Sequence, residues 1–254
     1  MNIYIAPNAE LLGKAAGIKA ASIIKQTIAE SGQANIILAT GTSQFETLKQ
    51  LILDTEINWS KVVMFHLDEY IGLPITAKAS FRKYLKERFI DKVSGLQAAH
   101  LINGEFDADE ECKRLGELIS KHPIDLALVG IGENGHLAFN DPPANFETDD
   151  PYIVVELDEA CRKQQLNEGW FSTIEDVPKK AISMSVRQML KSTKIICSVP
   201  DTRKAMAVKN CLERSVSNLF PASILQTHNF CSFYLDKDSA KLLANPVISQ
   251  AIII

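Results

Sequence analysis

Apolar and polar positions along the chain fall into two alternating kinds of segment. Short runs rich in β-branched and apolar residues read as strands at Asn2–Ala6, Asn35–Ala39, Lys61–His66, Ile124–Val129, Tyr152–Glu156, Lys194–Val199 and Phe230–Leu235. Between them, apolar residues recur at helical spacing over Ala9–Glu30, Ser43–Leu53, Ala79–Arg88, Ala108–His122, Asp158–Asn167, Thr202–Glu213 and Ser239–Leu243. Alternation of this kind is the signature of β/α crossover units. The pattern therefore predicts an α/β fold: a doubly wound, mainly parallel open sheet with helices on both faces, Rossmann-like. No fixed-period repeat and no Pro-, Gly- or Ser-rich linker divides residues 1–254, so a single domain is expected, with a helical flap near Ile71–Arg88. Ile252–Ile254 is too short to anchor anything and reads as a docked or frayed tail.

Composition narrows the function classes. With 46% hydrophobic and 23% charged residues the chain is an ordinary core former. A net charge of −4 gives no general attraction to nucleic acid or an anionic membrane, so any phosphate ligand must be held by a local cluster. Cys112, Cys161, Cys197, Cys211 and Cys231 are odd in number and lack CxxC pairing, which reads as reduced thiols. No apolar run is long enough to span a membrane, and the first residues lack a signal-peptide pattern; a cytoplasmic protein is expected. A homo-oligomer is compatible with this composition.

In open α/β sheets ligands gather beyond the carboxyl ends of the strands, and four loops there are unusually polar. Thr40-Gly41-Thr42-Ser43 can present backbone N–H groups and hydroxyls to a phosphate, or Ser43 can simply cap the next helix. It is neither a P-loop nor a dinucleotide fingerprint. Asp68 and Glu69 follow an apolar strand and point to opposite sides, so one of them can face a pocket as a general base, or one can be solvated and the other ion-paired. The segment Gly130–Pro143 carries three glycines in six residues, then His136, with Asn134, Asn140 and Asp141 close by to orient the imidazole; a core histidine is the alternative. Metal-ligand spacing such as HxH or HExxH does not accompany it, and no metal is expected. Arg203 and Lys204 open a helix where positive charge opposes the macrodipole; a bound anion explains them, as does a solvated face shared with Lys209.

Taken together, His66-Leu67-Asp68-Glu69-Tyr70-Ile71-Gly72-Leu73, the GHLAFND string at Gly135–Asp141 and Thr40–Ser43 resemble the glucosamine-6-phosphate deaminase (isomerase) family over nearly the whole chain. Lactonase relatives that hydrolyse 6-phosphogluconolactone carry a similar glycine-His loop but lack the DEYxGL segment. The resemblance implies that Asp68 is the proton-transfer carboxylate and His136 the ring-opening histidine. Asp141 stands where the family usually has a Glu partnering that histidine, and Asn134 at a position that is Asp or Asn. Thr40, Gly41, Thr42, Ser43 and Lys204 match the substrate-phosphate site, and Glu69 and Gly135 count as further candidate substrate contacts. A second phosphate ligand of the family, an Arg before a Phe pair, has no counterpart in Asn167-Glu168-Gly169-Trp170-Phe171, and Arg162 or Lys163 is the expected substitute. The allosteric amino-sugar residues of some members are also missing after Asp141.

The implied reaction is conversion of glucosamine 6-phosphate to fructose 6-phosphate and ammonia, which involves no net redox change and therefore implies no cofactor. Sugar-phosphate isomerisation without deamination, lactone hydrolysis, and a non-catalytic sugar-phosphate sensor are the competing readings. The one-methylene difference at Asp141 would leave its carboxylate ~1.5 Å short of His136 unless the loop carrying Pro142 and Pro143 moves closer.

Overall fold

Strand register follows from period-2 alternation of the apolar side chains. In the computed structural model, which describes residues 1–254, eight strands form one parallel sheet. In chain order they are β1 (Asn2–Ala6), β2 (Ala34–Leu38), β3 (Val62–His66), β5 (Ala98–His100), β6 (Leu126–Val129), β9 (Lys194–Val199), β10 (Cys231–Asp236) and β11 (Ile252–Ile253). A smaller antiparallel sheet joins β4 (Asp68–Tyr70), β8 (Lys180–Met184) and β7 (Tyr152–Glu156), with β8 in the middle. Successive residues of the large sheet serve opposite faces: Ile36 and Leu38 pack into one core layer, Ile37 into the other. Both faces are covered, as a parallel sheet requires.

The first layer is built on α1 (Ala9–Ser31), α2 (Phe45–Ile52) and α3 (Phe81–Arg88). Asn8 caps α1 by accepting from Leu11 N at 2.9 Å, and Gly32, at φ 80°, closes the other end by donating to Ile28 O. The opposite layer takes α4 (Ala108–Ile119), α6 (Val186–Leu190) and α7 (Ala205–Glu213). The remaining helices are α5 (Glu159–Asn167), α8 (Lys237–Ala240) and α9 (Asn245–Ile248). None of the helices is long and apolar enough to cross a membrane. All five cysteines are unpaired.

Strand order in the large sheet is β11-β1-β10-β9-β6-β2-β3-β5. From β2 the chain proceeds outward through β3 to β5; from β6 it proceeds the other way through β9 and β10. Winding therefore reverses between β2 and β6, and the loops leaving their carboxyl ends diverge over a crevice. This confirms the doubly wound expectation with two differences. The strand at Tyr152–Glu156 lies in the small sheet, where alternating burial suits a strand with one face toward solvent. The short strands β4, β5, β8 and β11 and the short helices α6 and α9, none longer than five residues, are too brief to repeat a pattern and were not evident from periodicity. The isoleucine tail is docked: β11 pairs with β1 through Tyr4 and Ile5.

Close contact between α1 and α2 rests on two glycines. A Cβ at Gly13 would lie 2.3 Å from Glu46 Cβ and 2.7 Å from the Glu46 backbone, and one at Gly17 would lie 2.6 Å from Gln50 Cβ. Gly13→Ala gains ~1 kcal/mol of helix propensity but forces the helices apart at a cost of ~1–3 kcal/mol. The chemical denaturation midpoint is expected to fall.

Candidate active site

Strand alternation decides which acid meets the crevice. In β4, Asp68 turns toward a cleft at the β2/β6 switch, and Glu69 turns away. The cleft wall is formed by the Thr40–Ser43 turn, Asp68, the Gly130–Gly132 loop with His136, the rings of Phe81 and Phe139, and Gln164, Gln165, Glu168 and Lys204. Phe81 and Phe139 stack with centroids 5.6 Å apart and Tyr70 packs against both, making one wall dry. Asp68 sits against it with Oδ1 buried and without a hydrogen-bond partner. Burial, reinforced by the neighbouring Glu69 charge, pushes its pKa up to about 8.

His136 is fixed from two sides. Its Nδ1 lies 2.9 Å from Asp141 Oδ1, while its backbone N–H donates to Asn134 Oδ1 at 3.0 Å. The shorter aspartate reaches because the chain doubles back sharply: Asn140 N donates to Leu137 O at 3.0 Å, and Ala138 adopts φ 52°. Asn140 Nδ2 ties the turn to β8 through Met184 O and Ser183 Oγ. Asp141 also accepts from Asn134 Nδ2 at 2.9 Å and from Asp158 N at 3.1 Å. Burial alone would raise the Asp141 pKa, but the His136, Asn134 and Asp158 hydrogen bonds outweigh it and hold the carboxyl below its usual range. The imidazole lies so close over Gly132 that a Cβ there would be 2.3 Å from Nε2. Gly132 is thus a site residue by omission of a side chain, hidden in the sequence among its glycine neighbours.

Neither helix start after β2 is capped by a side chain: the 3₁₀ turn Thr42–Gln44 begins at Gly41 with φ 88°, and α2 follows at Gln44, both without a capping bond. Ser43 therefore does not serve as a helix cap, which leaves the turn's polar groups facing the cleft. Gln44 Nε2 donates to Val129 O at 3.1 Å, and a Cβ on Gly130 would come within 2.7 Å of Ser43 Oγ, so the two loops lock together. Lys204 closes this end. Its ammonium is almost fully buried, donates no hydrogen bond within the chain, and has Glu168 Oε1 at 4.0 Å as its nearest carboxylate. Burial pulls its pKa down, opposed by the charges of Glu168 and Glu133. Arg203 turns aside to Asp201 at 2.7 Å, and Lys209 pairs with Glu213, so the solvated-face alternative for Lys204 does not hold.

Three candidate substrate contacts lie elsewhere. Glu69 accepts from Ser80 Oγ at 2.9 Å, Arg82 N at 2.8 Å, Phe81 N and Tyr70 N, and pairs with Arg82 Nε at 3.3 Å, so its carboxylate is consumed in pinning α3 to β4. Gly135 serves the backbone: its carbonyl accepts from Ala222 N at 2.9 Å. Arg162 donates to Val177 O at 3.1 Å and to Ile174 O, and Lys163 pairs with Glu159 on an exposed surface; neither replaces the missing arginine. Sequence reasoning did not single out Gln164, Gln165 or Glu168 as cleft residues, because consecutive polar residues on a short helix carry no directional signal. Metal-ligating donors come together at His136, Asp141 and Cys161, within 4.8 Å of one another. Burial pushes the Cys161 thiol well above its usual pKa. Glu69→Gln removes a buried charge partner of Arg82 and is expected to cost ~3 kcal/mol, read as a lowered melting temperature.

Residues 7–233 match the family described as glucosamine-6-phosphate isomerases/6-phosphogluconolactonase. The glucosamine-6-phosphate deaminase of Listeria monocytogenes serotype 4a (strain HCC23) is 36% identical over 232 residues, covering 91% of this chain and 97% of its own. That of Shouchella clausii (strain KSM-K16) is 35% identical over 248 residues, covering 95% and 97%. Among solved structures, a monomeric glucosamine-6-phosphate deaminase superposes with a TM-score of 0.84 at 32% identity, over 95% of this chain and 100% of that one. The 6-phosphogluconolactonase of Trypanosoma brucei gives 0.77 at 17% identity over 96% and 98%, a likeness of fold. With its cleft at the sheet's switch point and most of its length matched, this chain belongs to the glucosamine-6-phosphate isomerase/6-phosphogluconolactonase family.

Proposed function

We propose that this protein is a glucosamine-6-phosphate deaminase, converting glucosamine 6-phosphate to fructose 6-phosphate and ammonia within one domain spanning residues 1–254, in the cytoplasm. The observation that carries the reading is Asp68, a carboxylate beside an apolar wall with an unpartnered oxygen and a pKa near 8, in the same cleft as an oriented histidine. Lactone hydrolysis needs no base at C2, whereas moving a proton between adjacent carbons does. Support also comes from the deaminase relatives.

The chemistry divides among the residues. With Asp141 accepting from Nδ1–H, the His136 tautomer leaves a lone pair on Nε2, which takes the anomeric hydroxyl proton and returns it to the ring oxygen as the sugar opens. Asp68, as carboxylate, takes the proton from C2 and delivers it to C1. The enolamine formed becomes a C2 imine, water adds, and the C–N bond breaks to release ammonia. The Thr40–Ser43 turn and Lys204 hold the phosphate, so binding energy remote from C2 fixes C2 against the base. No step changes the net oxidation state of the sugar.

Purified protein is expected to release ammonia and fructose 6-phosphate in equal amounts from glucosamine 6-phosphate; failure to form either product would defeat the reading. Asp68→Asn is expected to bind the sugar phosphate yet lose both ammonia release and deuterium incorporation at C1 from D₂O. Because burial raises the Asp68 pKa to about 8 and the carboxylate is the active form, kcat/KM of the wild-type enzyme should climb with pH below about 8 and level off above it. Lys204→Ala removes a charge-assisted contact worth ~1.5–3 kcal/mol, and KM should rise roughly ten- to hundredfold.

A further inference from the structure

Lys204 does not face the cleft alone. Glu168, at the carboxyl end of α5, lines the same wall with its side chain 4% exposed. It is held there by two donors: Gln164 Nε2 reaches Oε1 at 2.9 Å and Trp170 Nε1 reaches Oε2 at 3.1 Å. Gln164 is itself anchored, its Oε1 accepting from Glu133 N at 2.8 Å. The carboxylate is therefore a fixed part of the wall. Lys204 Nζ is 4.0 Å from it, too far for a hydrogen bond and close enough to act as its counter-ion. Arg203, outside the cleft lining, pairs with Asp201 at 2.7 Å and faces Glu133 at 3.6 Å, so it brings no uncompensated positive charge, and at this end of the lining the Lys204 cation stands against the Glu168 anion.

A cleft end that receives a phosphate dianion would be expected to carry net positive charge, and this one does not. An oxygen that accepts from Lys204 at ~2.8 Å lies within ~7 Å of the Glu168 carboxylate, in a partly dry space where like charges repel. Building on the proposed function, we propose that Glu168 is an affinity-setting residue of the phosphate end: it neutralises Lys204 and weakens the hold on phosphate esters, which must take its place as the partner of the ammonium. Lys204 then makes with phosphate the hydrogen bonds it does not make within the chain. The effect falls on binding, because Glu168 stands at the phosphate end and not beside Asp68 or His136 in the proton-transfer steps.

The test compares wild type, Glu168→Gln and Glu168→Ala in two measurements: calorimetric titration with inorganic phosphate, and steady-state kinetics with glucosamine 6-phosphate. Both variants are expected to bind phosphate at least tenfold more tightly, and KM is expected to fall by a similar factor, with kcat moving far less. A side chain that merely supported the wall would give the opposite sign, since its loss loosens the cleft. Unchanged or weaker phosphate binding in both folded variants would overturn the proposal. Should Glu168→Gln not fold, Glu168→Ala, which introduces no amide between Gln164 and Trp170, carries the same expectation. Titration with phosphate needs no turnover, so a wild-type protein that releases no ammonia would defeat the proposed function and leave this measurement decisive for Glu168.

Discussion

Pairing of β2 with β6 is the constraint on which the site depends. Parallel backbone bonds hold the two strands from Ile36–Leu126 to Leu38–Leu128, and Ala39 N still reaches Leu128 O at 3.0 Å. Beyond that point the chains must separate, since one continues toward β3 and the other toward β9. Backbone groups released from the ladder need new partners. Gln44 meets one of them by crossing to Val129 O, while the turn before it keeps its polar edge toward the gap. The crevice is thus a by-product of satisfying a sheet whose winding changes direction, and its polarity comes from the place where regular pairing stops.

The small antiparallel sheet supplies what the large one cannot. A parallel strand end delivers a loop, with side chains aimed according to the loop's own conformation; β4 delivers Asp68 from a strand clamped to β8 through Ser183, Ile182 and Ala181. That clamp fixes which carboxylate enters the cleft, and the Glu69–Arg82 network holds α3, with Phe81, across it. Two adjacent acids end in opposite circumstances for this reason. One is surrounded by donors and serves structure; the other is deprived of them, which leaves it poised to exchange a proton.

Much of this was legible in the residues. Alternating β and α segments carried the doubly wound fold, and the period-2 rule already separated Asp68 from Glu69. Of the residues that the family motifs brought together, Asp68, His136 and Lys204 line one cleft, and Asp141 bonds to His136 without lining it. What the sequence withheld depends on long-range geometry. A strand of three residues such as Asp68–Tyr70 has no period of its own and exists through its partner more than a hundred positions later. Whether Asp141 could span the missing methylene turned on a left-handed residue at Ala138, which no propensity favours. Glu168 was visible only as the absence of an arginine; that its carboxylate faces Lys204 required the course of α5.

The helix pair on the far side of the sheet has a consequence of its own. Because Gly13 and Gly17 bring α1 into contact with the backbone of α2, the spacing of those two helices also sets where α2 begins, and α2 begins directly after the 3₁₀ turn Thr42–Gln44. The Thr40–Ser43 turn is therefore seated against a helix-helix seam outside the cleft lining, and the width of that seam bears on the cleft without touching it.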